Sequence, residues 1–204
     1  MIVYLIRHGE TDENRKRCLQ GSRDIPLNEN GRELARQTAE ALKEVTFDRI
    51  YSSPLSRALE TAKILKRDRE IPIIIEDRIR EISFGIYEGL CSSRKAYNIP
   101  DPDFPDFFQA PERYVTPPEG ESFEEIIART GAFWQELIRK EELQKKTILV
   151  ATHGCALNAL LANIRPVELK DFWGEGVHPN CSITKISVEH GKATILEEGK
   201  VYAL

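Results

Sequence analysis

Cysteine is sparse in this chain: Cys18, Cys91, Cys155 and Cys181 are widely separated, and no two of them form a CxxC pair. Neither a zinc ribbon nor a thioredoxin-type motif is written here. Spacing of this kind is expected to leave the thiols free in a reducing compartment. Long apolar runs are also missing. Stretches such as Ile2 to Ile6 fall far short of the roughly 18 residues that a membrane span needs. The N-terminus carries neither a basic n-region nor a cleavage site, so the chain is expected in the cytoplasm. Nor is there an excess of positive charge, with 29 basic residues against 33 acidic ones and a net charge of −4. That balance argues against a general binder of nucleic acid or of an anionic membrane, and any anionic ligand must be held by local charge. Solenoid repeats and low-complexity tracts are absent too. What remains is a chain of 204 residues, 41% hydrophobic and 30% charged, for which a single folded domain spanning 1–204 is the expectation.

The run Ile2-Val3-Tyr4-Leu5-Ile6 is apolar and rich in β-branched side chains, as in a strand buried on both faces of a parallel sheet. It stops at Arg7-His8-Gly9. Asn28 can cap a helix in which Leu34, Thr38, Leu42 and Val45 recur at helical spacing. A strand is predicted near Arg49 to Ser52. Ser53 followed by Pro54 reads as an N-cap and first-turn proline, predicting a helix over Leu55 to Leu65 with Arg57 in or near its first turn. A short strand is predicted over Ile71 to Ile75, and a capping box of Ser122 and Glu125 opens a long helix to about Glu142. Thr147 to Ala151 repeats the opening pattern, stopping at Thr152-His153-Gly154 before a helix-like Cys155 to Asn163. Ser182 to Val188 and Lys192 to Leu196, flanking His190-Gly191, read as an antiparallel hairpin at the sheet edge.

Strands alternating with helices predict an α/β fold: a doubly wound, mostly parallel sheet with helices on both faces and an antiparallel edge hairpin. Such an edge could pair two subunits into a homodimer. Residues 98 to 120 break the pattern, with six of the eleven prolines together with Phe104, Phe107, Phe108 and Tyr114. A long irregular segment in a compact domain is commonly a lid or binding loop, and the stretch 98–118 is expected to cover a crevice.

Two strands each end in histidine and glycine, and ligands of open α/β sheets bind beyond the carboxyl ends of the strands. His8 and His153 are therefore predicted to face one crevice. A helix opening at Gly154 adds partial positive charge and lets backbone N–H groups approach a ligand. Arg7, at the interior end of a buried strand, needs an anion to meet it. Arg57 near a helix start suits a phosphate or carboxylate. Taken singly, each is as well read as a structural residue; taken as a set, they point to one anion site. The run Arg15-Lys16-Arg17 is read as a solvated face.

Taken in order, Arg7-His8-Gly9-Glu10-Thr11 with Asn14 and Gln20-Gly21, Ser52 to Ala58 with Thr61-Ala62, Glu81 to Gly85 with Glu88-Gly89, Gly120-Glu121-Ser122, and Thr152-His153-Gly154 resemble the histidine phosphatase superfamily, the phosphoglycerate mutase-like proteins. The resemblance implies catalysis by His8, Glu81 and His153, phosphate binding by Arg7, Arg57, Asn14 and Gly154, and substrate contacts from Thr11, Gln20 and Gly21. His8 would form a phosphohistidine, the cations would stabilise the transition state, and Glu81 would protonate the leaving alkoxide and later accept a proton from water. Asp77 and Glu88 compete with Glu81 for the acid role, and Glu10 is expected to be a structural partner in its loop. No cofactor and no metal are implied, and the partner is a small phosphorylated metabolite.

The short chain, Tyr87 where many relatives have tryptophan, and Asp12-Glu13 before Asn14 resemble the phosphatase branch more than the cofactor-dependent mutases, which stand as the alternative. Two further classes are open. Two histidines and a carboxylate could hold a divalent metal, although Arg7 and Arg57 would repel it; a noncatalytic phospholigand sensor could use the same fold.

Overall fold

The computed structural model describes residues 1–202. The opening apolar run becomes β1 (Ile2–Arg7), followed by a short helix α1 (Asp12–Lys16) that the sequence pattern does not announce. Asn28 caps α2 (Glu29–Ala41) by accepting from the Gly31 N–H at 2.8 Å. Next come β2 (Arg49–Ser52), α3 (Ser56–Lys66) and the short β3 (Ile73–Ile75). After a long connection containing the one-turn helix α4 (Asp106–Gln109), the predicted capping box starts α5 (Phe123–Arg139). The chain continues through β4 (Thr147–Thr152), α6 (Gly154–Ile164), β5 (Ile183–Glu189) and β6 (Lys192–Lys200).

The strands form one six-stranded sheet in the order β3-β2-β4-β1-β5-β6. The first four run parallel, and the β5–β6 hairpin adds antiparallel strands at one edge. β1 and β4 are neighbours in register, Arg7 opposite Thr152, so the two His-Gly steps leave the sheet side by side. This is the predicted doubly wound α/β architecture.

Alternation along β1 shows why the sheet takes helices on both faces. Val3 and Leu5 pack with Phe133, Trp134 and Leu137 of α5 and Leu157 and Leu160 of α6. Tyr4 and Ile6 face the other way, onto Ala35 and Ala39 of α2 and Ala62 and Leu65 of α3. Each fully buried large side chain contributes about 1.5–3 kcal/mol by leaving water. A third apolar cluster lies beyond the strand ends and combines Phe104, Phe107, Phe123, Phe172 and Trp173.

Two sequence expectations need correction. Ser53 does not cap α3: the N-cap residue is Leu55, which makes no side-chain cap bond, and the helix begins at Ser56. Nor are all four cysteines free, because Cys18 and Cys91 form a disulfide across 73 positions while Cys155 and Cys181 remain buried thiols. Closing a loop of that length removes unfolded-chain entropy worth about 4 kcal/mol. Cys91→Ser is therefore expected to lower unfolding stability by about 2–4 kcal/mol in denaturant titrations under oxidising conditions. An equal loss when the unsubstituted protein is reduced would confirm the bridge as the cause; unchanged stability in both would contradict it.

Candidate active site

Two parallel strand ends supply the centre. The rings of His8 and His153 lie 5.1 Å apart between centroids, and both are buried. The ring Nδ1 of His8 stands 2.7 Å from the carbonyl oxygen of its neighbour Gly9. A carbonyl only accepts, so Nδ1 carries the hydrogen and the lone pair sits on Nε2. The Nε2 of His153 is 2.8 Å from Ser53 Oγ, which explains what Ser53 does in place of capping α3.

Two arginines flank the imidazoles. Arg57, in the first turn of α3, is fully buried and donates from Nη1 to the Arg23 carbonyl at 2.7 Å and from Nη2 to the Gly21 carbonyl at 2.8 Å. Gly21 has φ +52 and lies against the Glu88 carboxylate, a place where a side chain would be both strained and crowded. Arg7 donates to the His178 carbonyl. Arg7 Nε, Arg57 Nε and His153 Nδ1 are buried with no hydrogen-bond partner among the described residues. Buried guanidinium N–H groups without acceptors are costly, and those of Arg7 and Arg57, which line one cavity with His8, suit anionic oxygens.

Glu81 closes the site from the opposite side. Its carboxylate sits on the N-terminus of α6, accepting from Ala156 N–H at 3.0 Å and Cys155 N–H at 3.3 Å, and from Ile82 N–H at 3.1 Å. At Gly154 a Cβ would stand 2.9 Å from the Val177 side chain, too close without a shift, and 3.6 Å from both Arg7 Nε and Glu81 Oε2, which places cation and carboxylate on either side of the same α-carbon. Asp77 is 76% exposed and pairs with Arg80, and Glu88 is bound by Ser22 and the Phe84 N–H; neither lines the cavity, which leaves Glu81 as the carboxylate there. Glu10 accepts from Asn28 in the loop, as expected of a structural partner.

The remaining predicted residues divide. Asn14, Gln20, Gly21 and Gly154 line a cavity of about 940 Å³ together with Arg7, His8, Arg57 and Glu81. Thr11 does not. It is fully buried as the N-cap of α1, 2.9 Å from Gln20 Oε1 and accepting from Asn14 N–H at 3.1 Å, so it holds two of the lining residues in place. Arg17, read from the sequence as part of a solvated face, lines the cavity as well. The structure adds Arg129, 48 positions beyond Glu81. It donates to the carbonyls of Arg78 and Arg80 at 2.8 Å and of Glu81 at 3.1 Å, and it forks onto Glu121, fixing the loop that carries the carboxylate. Asn180 likewise donates to the His8 carbonyl at 2.9 Å.

Electrostatics follow from this burial. Desolvation first, then the charges of Arg57 and Arg7, hold His8 well below the ordinary imidazole range. Desolvation, Arg57 and His8 do the same to His153. Burial brings Arg57 down to about 10, opposed by Glu81 and Asp24, so it stays charged near neutrality. A histidine lowered in the native state binds fewer protons than the unfolded chain below pH 6.5. Stability is therefore complete above that pH and falls by up to about 1.4 kcal/mol per pH unit and per histidine on acidification. Urea unfolding between pH 7 and 5, above the carboxylate range, should show this slope, and His153→Asn should make it shallower. A flat profile would contradict neutral buried imidazoles.

A family model described as the histidine phosphatase superfamily (branch 1) matches residues 3–200. The chain belongs to that superfamily. The histidine phosphatase fold is shared with the solved structure of Bacillus stearothermophilus YhfR, at 37% identity and a TM-score of 0.89 over 98% of this chain and 97% of that one. Phosphoserine phosphatase 1 of Hydrogenobacter thermophilus is 32% identical, covering 96% of this chain and 90% of its own. Phosphoglycerate mutase 1 of Saccharomyces cerevisiae is also 32% identical, covering 83% and 80%. Two relatives at 34% identity, from Schizosaccharomyces pombe and Bacillus subtilis, are named as phosphatases, so the comparisons support hydrolysis with the mutases as more distant company.

Proposed function

We propose that the chain is a phosphomonoester hydrolase acting on a small phosphorylated metabolite through a phosphohistidine on Nε2 of His8. The observation that carries the reading is the Nδ1 contact with the Gly9 carbonyl, which leaves a neutral ring with its lone pair on Nε2 beside two arginines. In the first step Nε2 attacks phosphorus, the ester P–O bond breaks, and the leaving oxygen takes a proton from Glu81. Arg7 and Arg57 meet the equatorial oxygens, where negative charge concentrates in the transition state, and His153 lies beside His8. In the second step water attacks phosphorus and gives its proton to Glu81, the P–N bond breaks, and phosphate departs from a neutral His8.

Hydrolysis is favoured over mutase chemistry by the short chain, by Tyr87 where many relatives have tryptophan, and by Asp12-Glu13 before Asn14, all of which resemble the phosphatase branch. Positive charge at the site comes from arginine, and the reaction is proposed to need no metal. Specificity is assigned to the segment 98–118, which contributes Phe104, Pro105, Phe107, Phe108 and Gln109 to the cavity wall. Phe104 and Phe107 are almost fully buried, and the Phe107 carbonyl accepts from Trp173 Nε1, so the segment is a packed wall.

A screen of phosphate esters in EDTA, run beside 3-phosphoglycerate isomerisation, tests the proposal. Release of inorganic phosphate undiminished by the chelator is expected. Isomerisation outpacing phosphate release would assign a mutase, and activity lost in EDTA and restored by one metal would replace the phosphohistidine route.

A further inference from the structure

We infer that the preferred substrate carries a second anionic group on its leaving group, and that Arg17 and Arg94 hold it at the mouth of the cavity. The inference rests on the phosphomonoesterase reading above and concerns the half of the cavity that the phosphoryl chemistry does not use.

Charge comes first. Four guanidiniums line the cavity, those of Arg7, Arg17, Arg57 and Arg94, against the single carboxylate of Glu81. Arg7 and Arg57 belong to the phosphoryl cradle. Arg17 and Arg94 are exposed and make no side-chain hydrogen bond and no ion pair among the described residues, and of the arginines so left without a partner these two line the cavity. Two unneutralised cations facing one concave space raise the local concentration of anions there and favour a ligand that can bridge them.

Placement comes second. Arg17 is the C-cap of α1, in the left-handed conformation with φ 59, and its exposed side chain lines the cavity. Its carbonyl accepts from Ser92 N–H at 2.9 Å, and Leu19 exchanges backbone bonds with Leu90 and Gly89 at 2.8 and 2.7 Å. The Cys18–Cys91 disulfide ties the same two segments covalently. Arg94 lies three residues beyond that bridge, in a loop closed by the Cys91 N–H donating to Asn98 Oδ1 at 2.7 Å. Both arginines are thus mounted on one stapled rim, which lowers the ordering cost of a ligand that engages them together. Across from them the wall is apolar, with Phe104, Phe107, Phe108 and Trp173, and a volume of about 940 Å³ leaves room for far more than a phosphoryl group. A compact neutral polyol would leave the guanidiniums without a partner. A carboxylate or second phosphate on the leaving group supplies one.

The experiment compares kcat/KM for matched pairs of different reach: 3-phosphoglycerate with glycerol 3-phosphate, 4-carboxyphenyl phosphate with phenyl phosphate, and butanediol bisphosphate with butyl phosphate. In at least one pair the anionic member is expected to be preferred roughly tenfold or more, the size of a charge-assisted contact. The pair that responds separates carboxylate from phosphate. Raising ionic strength should erode that preference. An Arg17→Met/Arg94→Met double variant should bring it near unity, and Arg17→Lys/Arg94→Lys should restore part of it. Because the readout is a ratio within one variant, a general loss of activity does not imitate the effect. Hydrolysis by the unsubstituted enzyme with no preference in any pair, or a preference that survives the double methionine variant, would overturn the second-anion subsite and leave the phosphatase reading intact. No hydrolysis of any ester and no acid-labile phosphoenzyme would overturn both.

Discussion

Replacing His8 by glutamine is expected to cut turnover of every phosphate ester by about ten-thousand-fold or more, because no other group at the site can take its place as nucleophile. His153 lies 5.1 Å away, but its Nε2 is engaged with Ser53 Oγ and its ring is fully buried, outside the cavity lining. Glutamine is neutral, of similar length, and can keep a hydrogen bond to the Gly9 carbonyl, so the fold should survive; circular dichroism and urea unfolding verify that. Substrate binding should persist, since Arg7 and Arg57 are untouched, and the loss should appear in kcat far more than in the affinity for inorganic phosphate or vanadate. Folded protein that binds vanadate and retains more than about one hundredth of its turnover would put the nucleophile elsewhere.

Glu81→Gln is the second large effect, and its signature is a dependence on the leaving group. Glutamine can still accept from Ala156 and Ile82 N–H through its amide oxygen, so the α6 N-terminus keeps a partner. It cannot give or take the proton. Alkyl phosphates, whose alkoxides leave poorly without protonation, should lose about a hundred- to ten-thousand-fold in kcat/KM. p-Nitrophenolate leaves unaided, so phosphorylation by p-nitrophenyl phosphate should suffer much less. Dephosphorylation then becomes slow, because the base that activates water is gone, and a stopped-flow burst of p-nitrophenol followed by a slow steady state is expected. Equal losses for both classes, with no burst, would remove Glu81 from proton transfer.

Much of this site was legible because the informative residues lie where regular structure begins or ends. β1 and β4 announce themselves by apolar, β-branched runs, and the parallel sheet places His8 and His153 beyond adjacent strand ends. Arg57 was placed near a helix start even though the cap assigned to Ser53 was wrong, since Pro54 alone is enough to mark the boundary. Other features depend on contacts between distant segments and leave no local mark. The Cys18–Cys91 pairing joins loops 73 positions apart. Arg17 sits in a run of basic residues and is exposed, as a solvated face requires; only the fold shows that it also borders the cavity. Arg129 reads as an ordinary helix residue, and only the fold reveals that it grips three carbonyls of the Glu81 loop. Thr11, expected from the resemblance to contact substrate, stands behind Asn14 and Gln20 as the N-cap of α1, a position that only the folded loop reveals.

The most direct measurement is the identity of the covalent intermediate. Rapid mixing with an activated phosphate ester, alkaline quench and peptide mass spectrometry should place one phosphoryl group on His8, acid-labile and base-stable, with two-dimensional NMR assigning it to Nε2. Phosphate found on another residue, or on Nδ1 of His8, or no phosphoenzyme under conditions that give a kinetic burst, would contradict the account.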